Sequence, residues 1–116
     1  MKPEALFVIS SDPRVSPRPA EAIRIAAGIG IWKKVGVAIY LRGAAVLALS
    51  EEPEGLLDED NYTRYLPIIG EIGRPIQVQA GAPLLAEIGA AAIPFEEISD
   101  EQLAARAAQS SYVLHF

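Results

Sequence analysis

Ser10, Ser11, Asp12 and Arg14 crowd into one short stretch, just ahead of Pro17 and Pro19. Two hydroxyls and a guanidinium in front of a helix start suit a small anion, because the first turn of a helix offers free N–H groups and the positive end of its dipole. Arg42 is placed to add a second cation. The competing reading, and the weightier one, is that Ser, Asp and Pro are ordinary turn formers and that Arg14 is solvated. Tyr40, Gln79 and Gly81 complete the candidate ligand-binding set, with Tyr40 as the aromatic best placed to line a pocket.

Other chemistry is thinly supported. The stretch is neither a Walker loop nor a dinucleotide loop: no G-x-x-x-x-G-K or G-x-G-x-x-G follows the first apolar run. The Gly28-x-Gly30 pair lies inside a helical pattern and reads as packing. His115 is the only histidine. With no G-x-S-x-G elbow, a Ser-His-Asp site is not expected, and His115 reads as structural or surface. Asp58-Glu59-Asp60-Asn61 lacks calcium-loop spacing, so no metal is expected. Asp12 or Glu97 as a general base has no supporting spacing, and no catalytic residue is assigned. Trp32, at helical spacing on an apolar face, reads as core or interface.

Composition narrows the classes further. The 116 residues suit a single domain spanning 1–116, 51% are hydrophobic, and there is no cysteine. Disulfides, zinc-thiolate sites and sulfur nucleophiles are thereby excluded. The net charge is −5, and the basic residues are scattered apart from Lys33-Lys34. Nucleic acid, which is bound by clustered Lys and Arg, is not expected as a partner. No run is long enough for a signal peptide or a membrane span, so a cytoplasmic protein is expected, with no membrane partner. No cofactor is expected.

The elements that would position these residues follow from hydrophobic pattern. Residues 5–10 form a continuous apolar run and predict a buried strand. Ser16 is the expected N-cap, with Pro17 at the first helical position, of a helix over about 17–34 that Gly36 terminates. A second strand is predicted over 35–41 and a short apolar helix over 44–49. Acidic residues Glu51, Glu52, Glu54, Asp58, Glu59 and Asp60 mark a loop. A helix over about 61–73 carries Pro67, expected to kink it or to start a second piece. Strands over 75–79, within 93–98 and over 112–116 alternate with helices over 82–88 and 99–109. Ser99 and Gln102 match a capping box for the last of these. Strands alternating with helices predict an α/β protein, a three-layer α/β/α sandwich around a five-stranded, mainly parallel sheet. Ligands of such sheets bind beyond the carboxyl ends of the strands. Those ends fall at Ser10–Arg14, Arg42-Gly43, Gln79-Ala80-Gly81, Glu96-Glu97 and His115-Phe116.

Three segments, FVISSDPRVSPRPAEAIRIAAGIG, VGVAIYLRGAAVLAL and PIQVQAGAPLLAEIG, give the chain a layout that resembles the DsrE/DsrF/TusD-like (DsrEFH) family of sulfur-relay proteins. The resemblance implies the sandwich fold and assembly into homo-oligomers, trimers or hexamers, with the short helix after the second strand near subunit contacts. It also implies a persulfide-carrying cysteine at the end of the third strand. Gln79, or its neighbour Ala80, stands at the matching position, and glutamine cannot carry a persulfide. The expectation is therefore a non-catalytic DsrE-like protein, an oligomeric scaffold or partner subunit without sulfurtransferase activity. The alternative is a protein that binds a small anionic ligand at the carboxyl ends of strands one to three.

Overall fold

A computed structural model describes residues 2–116. Five strands, β1 (Glu4–Ile9), β2 (Gly36–Leu41), β3 (Ile76–Gln79), β4 (Phe95–Ile98) and β5 (Tyr112–His115), form one sheet in the order β4-β3-β2-β1-β5. Every neighbouring pair is parallel. Helices α1 (Arg18–Trp32), α2 (Glu59–Ile72) and α3 (Asp100–Gln109) alternate with the strands, joined by two 3₁₀ segments, Gly43–Leu49 and Pro83–Glu87. The steps β1 to β2 to β3 to β4 all move one way across the sheet. The step from β4 to β5 returns across three strands, so a right-handed crossover must place α3 on the opposite face.

The core divides accordingly. Phe7, Ile9, Val37, Ile39, Leu41, Ile76 and Val78 alternate along their strands onto the face covered by α1 and α2, where they meet Ile23, Ala26, Ala27, Tyr62, Leu66 and Ile69. Among the described residues, the apolar side chains buried on the other face are Leu6, Val8, Tyr40 and Ile98, against Leu103 and Ala107 of α3. No residue of α3 is itself buried. One face therefore carries most of the apolar burial, which supplies the main favourable term for folding.

Several boundaries differ from expectation for physical reasons. Ser16 is displaced by one residue from the cap: the helix begins at Arg18, Pro17 occupies the N-cap position, and the Ser16 hydroxyl accepts from Arg18 N at 3.2 Å. Helix α1 stops at Trp32 because Lys33 turns left-handed, with φ 63°. Gly36 does not end the helix. It opens β2, where an added Cβ would collide with the Glu4 carboxylate. Of the paired glycines, Gly30 lies against Ile72 of α2, whereas Gly28 faces open space and is not a packing residue. Pro67 does not start a second helical piece: α2 runs unbroken through it. Both Pro67 and Thr63, whose carbonyl loses its helical partner, are exposed, so that carbonyl is not buried without a donor. The residue runs 44–49 and 82–88 form tight 3₁₀ turns rather than α-helices. The Ser99 capping box forms in full, with Ser99 Oγ accepting from Gln102 N at 3.2 Å and Gln102 Oε1 accepting from Ser99 N at 2.8 Å. Among the described residues no helix is long and apolar enough to cross a membrane.

Candidate functional site

Parallel pairing brings the expected loops to one edge. The Ser10 and Ser11 amides both donate to Phe116 O, at 2.9 and 3.4 Å, and Arg42 N donates to Ile9 O at 2.9 Å. Ser10 and Arg42 therefore stand side by side at the ends of neighbouring strands. Gln79 closes β3 and is half-buried, and its Oε1 accepts from Gly43 N at 3.0 Å. Gly81 turns with φ 74° and donates to Glu97 Oε1 at 3.1 Å.

Within that edge, much of the polar capacity is already engaged. Asp12 Oδ1 accepts from Arg14 N and Nε at 2.9 and 3.0 Å, and Asp12 Oδ2 accepts from Arg14 Nη2 at 2.8 Å. These bonds hold the Asp12 carboxyl below its ordinary range and the Arg14 guanidinium above it. Such a fork-to-fork pair uses the donors that would otherwise grip an anion.

Arg42 is the freer cation. Its guanidinium lies 5.6 Å from the Tyr40 ring centre and its Nη2 only 3.9 Å from Asp100 Oδ1, while its buried Nε has no partner. Tyr40 is fully buried beneath α3, and its hydroxyl also lacks a partner. It belongs to the smaller core rather than to the wall of an open pocket.

Two residues of this edge were not singled out from sequence. Arg18 Nη2 donates to His115 O at 3.0 Å, and its guanidinium sits 5.6 Å from the Phe116 ring centre. Phe116 in turn stacks on Phe7 at 5.7 Å between centroids. The spacing Arg18, Ala22, Ile25, Ile29, Trp32 places all five on one flank of α1, and the Arg18 contact shows that this flank faces β5. Asp100, at the first turn of α3, is the second residue. Its only signal was the capping box beside it.

The β5 side of the molecule is apolar and open. Trp32 is 62% exposed and Tyr112 58% exposed, so Trp32 is not a core residue. Register pairs Tyr112 with Ala5 and Leu114 with Phe7, which puts both on the α1 face. Tyr112, Leu114, Ile25, Ile29 and Trp32 thus share one flank beside an edge strand whose outer backbone groups are unpaired.

Among the described residues no group of three His, Asp or Glu side chains comes together in a way that would hold a metal ion. An apolar cleft of about 210 Å³ lies away from the sheet edge, bounded by Pro53, Tyr62, Leu66 and Ile93. Burial pushes the Tyr62 phenol well above its ordinary range.

With this geometry in place, comparison with known proteins adds a fold. No family model matches the sequence. No curated protein matches it. Among solved structures, the chain is similar to the crystal structure of the ychN protein from E. coli, with a TM-score of 0.80, 19% identity and 100% of each chain covered. Likeness at that identity is likeness of fold: a five-stranded parallel α/β sandwich along its whole length.

Proposed function

We propose that this chain is a DsrE-like subunit that assembles with copies of itself and acts as a scaffold or partner, without sulfur transfer. The observation that carries the reading is the apolar flank of Ile25, Ile29, Trp32, Tyr112 and Leu114 beside the open edge of β5. Trp32, Tyr112 and Leu114 are exposed there, with Ile25 and Ile29 half-buried between them and the core; apolar surface of this kind marks interaction sites, and an open edge strand is a ready template for another chain. The shared fold with the ychN protein and the resemblance of the three sequence segments support the family reading. The absence of cysteine removes the persulfide chemistry.

Light scattering coupled to gel filtration tests it. A trimer or hexamer at micromolar concentration is expected, and the double variant Trp32→Glu, Tyr112→Glu should run as a monomer with its circular dichroism intact. A wild-type chain that is monomeric at that concentration overturns the reading.

A second reading, a small anion held at the carboxyl edge by Arg42 and Ser10, draws on the unpartnered Arg42 Nε. A thermal-shift series with phosphate and small carboxylates tests it: a rise in Tm that Arg42→Ala abolishes supports it. If no additive raises Tm, the reading fails. Arg14→Ala should leave any such rise unchanged, because Arg14 is already bound to Asp12.

A further inference from the structure

The apolar cleft bounded by Pro53, Tyr62, Leu66 and Ile93 has an unmet acceptor on its wall. Pro67 has no N–H, so the carbonyl of Thr63, one turn earlier in α2, loses its helical donor. Thr63 and Pro67 are both exposed, and both line the cleft. They share one stripe of the helix surface, and a helical carbonyl points along the axis toward the residue four positions on. The Thr63 carbonyl therefore emerges between them, on the wall itself and open to a donor from outside. Tyr62 is 1% exposed and its hydroxyl is sealed below the floor, so an occupant of the cleft does not reach that group.

The opposite wall is held in place by a short backbone ladder. Ser50 bridges to Ala91, Glu51 N donates to Ala90 O at 3.2 Å, and Ala92 N donates to Leu49 O at 2.7 Å. Glu51 and Ala92 are thereby fixed at the rim. Among the described residues Glu51 is the only charged one lining the cleft, and Glu52 and Glu54 follow it on the same loop. The mouth is negative, the wall offers a free carbonyl, and Leu66, Pro67 and Ile93 make the interior apolar. The lining amides of Glu51 and Ala92 are spent in the ladder, and Pro53 and Pro67 have none, so an anion finds acceptors where it needs donors. The volume of about 210 Å³ is below the ~300–1,000 Å³ of drug-sized pockets and suits about one ring on a short chain.

We propose that this cleft binds a small apolar primary ammonium, a single ring carrying its charge on a short alkyl chain. The ring covers Leu66, Pro67 and Ile93. The ammonium stays at the rim, where it donates one N–H to the Thr63 carbonyl and pairs with the Glu51 carboxylate. The site lies apart from the apolar flank beside β5 and shares no residue with the carboxyl-edge set.

A ¹H–¹⁵N NMR titration of the full chain with 2-phenylethylamine tests this. The amine is a cation at neutral pH, since an alkylammonium titrates near lysine, at about 10. Shifts should centre on the amides of Leu66, Ala92 and Ile93, with a Kd in the millimolar range or tighter. 3-Phenylpropionate, a carboxylate of similar shape, should leave those amides unmoved. Trimethyl(2-phenylethyl)ammonium keeps the charge but has no N–H, and should bind at least about fivefold more weakly. Ala92→Trp fills the mouth from an exposed position and should abolish binding without lowering Tm. Pro67→Ala supplies the N–H that the Thr63 carbonyl lacks, so it should melt higher and bind severalfold more weakly. Glu51→Gln should weaken binding about two- to fivefold, as expected for an exposed ion pair. No shifts at about 50 mM amine, far above a millimolar Kd, overturn the proposal. So do equal binding of 3-phenylpropionate, unchanged binding by Ala92→Trp or by Pro67→Ala, or shifts confined to Trp32 and Tyr112, which would put the amine on the β5 flank instead.

Discussion

Gly28 and Gly30 sit on the same helix and do different things. An added methyl at Gly30 would run into Ile72, whereas at Gly28 it meets nothing within 4 Å. Gly28→Ala should therefore stabilise the fold by about 0.5–1 kcal/mol through helix propensity and a less flexible unfolded chain. Urea denaturation measures this, and a loss of stability would mean that the site is not open. Ser99 carries the opposite expectation. Its hydroxyl satisfies Gln102 N, so Ser99→Ala should cost about 1 kcal/mol. Glu4 links stability to pH. Hydrogen bonds from Arg74 hold its carboxyl below 4.5. The unfolded chain then binds more protons across that range, so the pair stabilises at higher pH and is lost as pH falls through the lowered Glu4 value. Both partners are partly exposed, so the effect is about 0–1 kcal/mol. Arg74→Met should therefore lower stability at neutral pH by that amount, leave the most acid end of the stability-versus-pH curve unchanged, and so flatten its acid limb below pH 4.5.

The order of the elements was legible in the sequence, and their ends were less so. Apolar runs such as Leu6–Ile9 and Val37–Leu41 declare buried parallel strands by themselves, and the Ser99–Gln102 box declares its helix start. Gly36 misled because its role depends on Glu4, a residue distant in sequence that only strand pairing brings beside it. The two apolar segments after β2 and β3 were too short for their pattern to separate a 3₁₀ turn from an α-helix. At the carboxyl edge, the gathering of Ser10, Arg42 and Gln79 followed from parallel topology alone. The engagement of Arg14 by Asp12 did not, because a local ion pair and an open anion cradle look alike in sequence. The burial of Gln77 was invisible for another reason. In Ile76-Gln77-Val78-Gln79 it reads as the polar half of an alternating strand, yet Gln77 is buried and Gln79 half-buried, which alternation does not declare.

At the scale of the molecule, the sheet has one thickly covered side and one thin one. Helices α1 and α2 bury Ile23, Ala26, Leu66 and Ile69, while α3 only partly buries Leu103 and Ala107. The free energy needed to lift an element away grows with the apolar area it releases to water. Amide hydrogen–deuterium exchange should accordingly run at two tempos. The α3 amides should exchange through brief local opening, and those of α1 and β2 only when the whole chain unfolds. Each such opening would uncover Tyr40 while the opposite side stays dry, so water is expected to reach the sheet from the α3 side first.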